Sequence, residues 1–238
     1  DFARKHKVQN IHIIPNGADE REFSKMMSFD VRSDLRVSQD TALIYQGGTS
    51  FTSLKGQLDA IKIFQQSDIN NATLLLNGNV IDKKYTSLCK RQALRHNMNP
   101  ANRKQKKLIR IRHWDRERTV AAFQQSDVFL FPSNIEASPI VLYESCASST
   151  PFLTNDVGNS AEIIKWTGGG MLLPTTKDEH GYSHAIIDGS AQMLTNLVKD
   201  KAMQSGLAKS GHKAWLNKFS WQKISEQYLE LYKEVLTR

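Results

Sequence analysis

Apolar and polar positions along this chain follow two alternating rhythms. Seven short runs rich in aliphatic and aromatic residues read as strands: "IHII" (11–14), "TALIYQG" (41–47), "ATLLLNG" (72–78), "LIRIR" (108–112), "DVFLF" (127–131), "PFLT" (151–154) and "GMLLP" (170–174). Four of them, "DVFLF" and "PFLT" included, are almost unbroken apolar runs, as expected of strands covered on both faces in a parallel sheet. Between them lie patterns of helical period. In "LKGQLDAIKIFQQ", Leu54, Leu58, Ile61 and Ile63–Phe64 recur every three to four residues, and "DRERTVAAFQQS" sets an acidic start before a stripe of Val120, Ala121 and Phe123. A strand–helix spacing of about 25–30 residues is that of βαβ units. The predicted fold is therefore α/β, a Rossmann-like doubly wound parallel sheet over about 11–174. After Pro174 the pattern turns wholly helical, with C-terminal helices over 183–238. The last, "SWQKISEQYLELYKEVL", sets Ile224, Tyr228, Leu231 and Val235 on one face. No repeat or low-complexity linker interrupts the chain, so a single domain spanning 1–238 is expected.

Composition narrows this picture. The 238 residues suffice for a well-buried core. No run approaches the roughly 18–20 apolar residues that span a bilayer, and "DFARKHKVQN" does not read as a signal peptide. Cys89 and Cys146 lie in unrelated contexts, and we read them as reduced thiols of a cytoplasmic protein rather than metal ligands or a disulfide. The net charge of +8 favours an anionic partner without choosing among phosphorylated small molecules, membrane surfaces and nucleic acids.

Ligands of such sheets bind beyond the carboxyl ends of the strands, and three loops there stand out. In "YQGGTSFTSLKGQ", Gly47 and Gly48 end a strand and Lys55–Gly56 opens a helix, a place where amides, dipole and one ammonium could hold a phosphate. Neither GxxxxGK[ST] nor GxGxxG is present. In "NIEASP", Pro139 precedes a helix running from Ile140 to about Ser148, so the amides of Ser138, Ile140 and Val141 are free for an anion. Glu136 stands just before that positive end, and Glu144 on its second turn. From Val128 to Asn155 these are the only two charges, in a chain that is 24% charged. A carboxylate in such surroundings is costly without a purpose, and carboxylates accept hydrogen bonds from sugar hydroxyls. In "NDVGNSAEIIKW", Asn159 or Ser160 is expected to cap the helix that carries Glu162.

The stretch "PSNIEASPIVLYESCASSTPFLTNDVGNSAEII" resembles the two-glutamate region of retaining nucleotide-sugar glycosyltransferases of the GT-B fold, the glycosyltransferase group 1 family. Further pieces occur in the family's order: "IIPNGADEREF", Lys55–Gly56, "SDVFLFPS", "DVGNSAEII" and "FSWQKISEQYLELY". The resemblance covers nearly the whole chain. It implies a donor-binding half, the acceptor-binding N-terminal half being absent, either truncated away or a separate subunit. It also implies that Glu144 holds the ribose hydroxyls of a UDP- or GDP-sugar and Glu136 the sugar hydroxyls. Lys55, with the 138–141 amides, neutralises the leaving diphosphate. Glu136 and Lys55 are thus the expected catalytic residues. Gly47, Gly48, Thr49, Arg112, His113, Ser138, Ile140, Val141 and Glu144 are expected around the donor. No metal and no cofactor beyond the donor are implied.

Two departures and one charge run complete the sequence. The family places an arginine after the first-loop glycine, where this chain has Thr49, so either another cation substitutes or donor affinity is reduced. The glycine usual after the fourth strand is also missing, and Arg112 and His113 stand where the base commonly rests. Residues 90–112 hold nine Lys/Arg and no acid. Peripheral contact with anionic lipid at the inner membrane face fits this run. Nucleic acid fits it poorly, because no aromatic is interleaved. A non-catalytic nucleotide-sugar-binding subunit stays open beside an autonomous enzyme.

Overall fold

The computed structural model describes residues 5–6 and 11–237. Strands β1 (Ala42–Phe51), β2 (Ala72–Val80), β3 (Lys107–Arg112), β4 (Val128–Phe131), β5 (Phe152–Thr154) and β6 (Gly170–Leu172) form one parallel sheet in the order β3-β2-β1-β4-β5-β6. This is the doubly wound Rossmann order, and its switch point falls between β1 and β4. Helices α1 (Glu20–Phe23) and α2 (Val31–Leu35) precede the sheet. Along the crossovers and after the sheet follow α3 (Gln57–Gln66), α4 (Lys83–Met98), α5 (Pro100–Lys104), α6 (Arg116–Gln125), α7 (Ile140–Ala147), α8 (Ser160–Thr167), α9 (Ile187–Lys199), α10 (Lys201–Ala214) and α11 (Trp221–Leu236).

Strand alternation sorts the buried side chains into two cores. Leu43, Tyr45, Leu75, Phe129, Phe131 and Phe152 pack on the face that carries α2, α6 and α7. Ile44, Leu74, Leu76, Val128, Leu130 and Leu153 pack on the opposite face with α3, α4 and α9. Both faces of the central strands are apolar because both are covered, which is why the runs read as continuous. Cys89 and Cys146 are free and buried, and burial pushes each thiol up to about 12.

Three expectations need correction. Residues 11–14 pair with no strand among the described residues. Ile11 and Ile13 are exposed, and Ile13 lies beside Trp166 and Phe219 instead. Strand β1 does not end at Gly47–Gly48. The ladder slips between Gln46 and Thr49, then resumes with Thr49, Ser50 and Phe51 opposite Gly78, Asn79 and Val80. The glycines form a bulge inside the strand. Finally, the chain after Pro174 is not wholly helical, since β7 (Thr175–Lys177) and β8 (Ser183–Ala185) make an antiparallel hairpin. Its turn is organised by Asp178, which accepts from the amides of His180 and Tyr182 and meets His184 at 2.9 Å. Helix α11 forms as expected, but of its apolar face Ile224 is buried while Tyr228 and Val235 are exposed.

The ends of the described chain are tied together. Ala18 bridges to Ser220, its amide donates to the Phe219 carbonyl at 3.0 Å, and its carbonyl accepts from the Trp215 indole at 3.1 Å. Gly17 makes this approach possible, for a Cβ there would stand 2.3 Å from the Phe219 carbonyl oxygen. Overpacking at a backbone contact costs about 1–3 kcal/mol. Gly17→Ala should therefore lower the unfolding free energy by about that amount in urea denaturation, whereas an unchanged midpoint would show that this tie carries no stability.

Candidate active site

At the carboxyl edge of the sheet, beside the switch point, two adjacent cavities both lined by Gly48 and Thr49 make up the groove. The first, about 350 Å³, lies between the β1 bulge, the end of β2 and the start of α6, lined by Thr49, Asn77, Trp114 and Arg116 among others. The second, about 270 Å³, reaches the start of α7 and is lined by Lys55, Glu136, Ser138, Ile140 and Val141 among others.

Two glycines allow these parts to approach. Gly48 has φ +72°, and a Cβ on it would press to 2.9 Å from Val141 Cγ1, so the bulge lies directly against the start of α7. Gly56 has φ +69°, and a Cβ there would meet the Pro132 carbonyl oxygen at 1.9 Å. That contact seats the Lys55 turn on the β4–α7 loop, where the Asn134 amide and the Ser133 hydroxyl both donate to the Leu54 carbonyl. Lys55 is the last residue of a short 3₁₀ turn (Ser53–Lys55), so α3 starts only after it.

The second loop is arranged as its sequence suggests. Helix α7 starts after Pro139 without a side-chain cap, and the amides of Ser138, Ile140 and Val141 donate to no other group among the described residues. Free amides at a helix start carry the positive end of the dipole. Lys55 Nζ meets Glu136 Oε1 at 2.6 Å, and the Ser133 hydroxyl lies 2.8 Å from the same oxygen, its single proton shared between it and the Leu54 carbonyl. The two expected catalytic side chains, 81 residues apart, are therefore in contact.

Glu144 lies deeper. It is 7% exposed, Arg116 Nη2 donates to its Oε1 at 2.6 Å, and its Oε2 is buried with no partner. Arg116 also donates from Nε to both oxygens of Glu22, at 3.0 and 3.1 Å, and stacks over Phe23. Burial raises the carboxyl of Glu144, the Arg116 bond and charge pull it down, Glu22 pushes it up again, and the balance is upward. On Arg116, burial works against the charge but the two carboxylates prevail, so the guanidinium is held above its ordinary value.

The structure leaves two expected base-site residues outside the groove lining. Arg112 is bonded to Asp34 at 2.9 Å, and His113 Nδ1 meets the Gly78 carbonyl at 2.7 Å with its ring edge-on to Phe51. Trp114 and Arg116 line the groove in their place. Buried Asn77 sets that loop, accepting from the Trp114 amide and donating to the Thr119 hydroxyl. Arg116 had a signal in the sequence: a cation at the first position of a helix opposes the dipole and needs acids to hold it. The capping expectation for the third loop is corrected. Asn159 occupies the N-cap of α8 but makes no side-chain cap bond, and its amide donates instead to Ala137 of the β4–α7 loop.

With this geometry in hand, comparison with known proteins is direct. The family described as "Glycosyl transferases group 1" matches residues 39–201. The chain belongs to that family. Alpha-maltose-1-phosphate synthase of Mycolicibacterium smegmatis is 32% identical over 111 residues, 45% of this chain and 27% of that protein. Sucrose-phosphate synthase from Thermosynechococcus elongatus superposes with a TM-score of 0.70 at 19% identity, over 99% of this chain and 56% of that one. Anabaena HepE, solved in complex with UDP and glucose, gives 0.68 at 16% identity, over 95% and 57%. This glycosyltransferase group 1 chain thus has the fold of one GT-B half, and it spans little more than half of those two solved chains. No helix among its described residues is long and apolar enough to cross a membrane.

The upward shift of Glu144 makes a prediction. The folded chain keeps a proton there that the unfolded chain has released, so this group's contribution to stability falls as pH rises from the ordinary glutamate value of 4.5 through the folded one. Arg116, Glu22 and Tyr45 are the charged or titratable groups that bear on it. Glu144→Gln cannot ionise, so its stability relative to the wild type should increase across that window. Urea denaturation of both proteins at several pH values tests this, and a pH-independent difference would contradict it.

Proposed function

We propose that this chain is the donor-binding half of a retaining glycosyltransferase that takes a UDP- or GDP-sugar and, with an N-terminal acceptor-binding half, transfers the sugar to a glycan or lipid-linked acceptor. One observation carries the proposal: the uncapped start of α7 lines a groove together with Lys55 and Glu136, while Glu144 lies buried on the same helix, and each carboxylate is held by a cation that lines the groove. In this reading the 138–141 amides and Lys55 take the diphosphate, whose departure creates the charge they stabilise. Glu136 orients the sugar hydroxyls, Glu144 holds the ribose, and no metal is required. Family membership supports the reaction class, and the UDP and glucose bound in HepE support a nucleotide donor. The share of the solved chains left uncovered supports a second half.

Losing a charge-assisted hydrogen bond costs about 1–3 kcal/mol. Lys55→Ala and Glu144→Ala should each weaken UDP or GDP binding by that amount in calorimetry. Wild-type affinity in both variants would remove the site assignment.

The basic run belongs to the same proposal as a membrane-facing surface. Lys90, Arg91, Arg95, Arg103, Lys104 and Lys106 are exposed and form no ion pair among the described residues. Leu94 and Met98 stand exposed among them. Lys107 is not part of this surface. It is buried, donates to the Gln65 and Ser67 carbonyls, and burial pushes it down to about 8. Each cation near anionic lipid contributes about 1 kcal/mol. Arg91→Gln with Arg95→Gln should weaken sedimentation with phosphatidylserine vesicles by about twice that, and equal sedimentation of both proteins would exclude this surface.

A further inference from the structure

Two features of the proposed site are in tension. Glu144, the residue assigned to the ribose, is not among the residues lining either cavity, and its unpartnered oxygen is shut away from solvent. Arg116 bonds to Glu144 and lines the first cavity, so it is the group that joins the buried acid to the groove. Its side chain is 43% exposed, and Nη1 donates to nothing among the described residues. It shares that cavity with Gly48 and Thr49, where the chain lacks the arginine expected of a donor loop.

We propose that Arg116 is a second donor-phosphate cation beside Lys55 and that it exchanges partners on binding, releasing Glu144 to the ribose as it turns to the diphosphate. Glu22 is the pivot. It holds Arg116 through both Nε and Nη2, so the guanidinium can give up the Nη2 bond to Glu144 without leaving the groove. The exchange leaves both groups partnered: the diphosphate replaces Glu144 as the second anion on Arg116, and ribose hydroxyls replace Arg116 as hydrogen-bond donors to the carboxylate. Without the guanidinium, the buried acid would be left unpaired, and hydrogen bonds from the hydroxyls are what make its release affordable. Arginine suits this role because its planar fork can bond a carboxylate and a phosphate on different edges at once.

This inference rests on the nucleotide-sugar reading, and its test separates the two. UDP, GDP and the corresponding nucleosides are titrated into the wild type, Arg116→Gln and Arg116→Lys, with thermal melting as the check on folding. Arg116→Gln should weaken the diphosphate about ten-fold or more, and Arg116→Lys, which keeps the charge but not the fork, should recover only part of that loss. The nucleoside, which has no phosphate and needs only Glu144, should bind Arg116→Gln at least as well as the wild type. Unchanged diphosphate affinity in Arg116→Gln, or equal losses for diphosphate and nucleoside in both variants, would overturn the exchange. If the wild type binds neither UDP nor GDP, it is the donor reading that falls. Should Arg116→Gln fail to fold, the guanidinium ¹⁵N resonance of Arg116 in the wild type decides. It should shift on adding UDP or GDP and stay in place with the nucleoside, and a resonance that ignores the diphosphate would overturn the proposal.

Discussion

A carboxylate stripped of water must find a cation, and in this fold the requirement falls on Glu144. Helix α7 covers the sheet with every residue from Val141 to Ala147 buried, so Glu144 goes in with the apolar ones. Removing the partner of such a buried charge costs about 3–5 kcal/mol. Arg116 meets the need from the first position of α6, the end of a helix where a cation is least welcome. It is retained there by Glu22 on α1. Helix α1 follows directly on the Gly17–Ala18 tie to Phe219 and Ser220. One buried acid thus makes the middle of the chain depend on its beginning, and the beginning on its end. That dependence gives a physical reason for "PNGAD" and "FSW" to occur together in one sequence.

The sheet sets where these charges meet. Its order reverses between β1 and β4, which opens a crevice at their carboxyl ends. The bulge at Gly47–Gly48 then carries β1 onward beside β2 as one wall of that crevice, rather than letting it turn away. Thr49 and Ser50 become strand residues lining the groove, opposite Gly78 and Asn79. The hairpin after Pro174 closes on the same region, since the Ser183 amide donates to the Asn134 carbonyl in the β4–α7 loop.

The central sheet strands were legible because burial on both faces leaves a strand almost no polar choice, as in "VFLF". The start of α7 was legible for a related reason, since Pro139 can open a helix and cannot continue one. Legibility failed where a local signal has two meanings. Gly47–Gly48 reads as the end of a strand, and only pairing with β2 reveals a bulge. Ile11–Ile14 has the composition of a strand, yet composition does not supply a neighbour with free ladder groups. The Lys55–Glu136 and Arg116–Glu144–Glu22 pairings join residues distant in sequence, which no pattern of period two or 3.6 encodes. Arg112 and His113 looked suited to the base because of where β3 ends. Asp34 and the Gly78 carbonyl hold their side chains, and neither residue lines the groove.

The pairing of charges in the groove bears on what it would select. Lys55 is satisfied by Glu136 and Arg116 by Glu144, so each cation that could take a phosphate is occupied by a carboxylate that could take a sugar. A simple anion would separate these pairs and leave two acids without their cations, one of them buried. A neutral sugar would leave the cations as they are and gain only the hydrogen bonds that the acids can spare. On the proposed reading, a nucleotide sugar supplies both replacements in one molecule, phosphates for the cations and hydroxyls for the acids. Its two halves are then worth more joined than apart, because each removes the cost the other would incur. Two carboxylates kept in an otherwise uncharged stretch are what such discrimination requires.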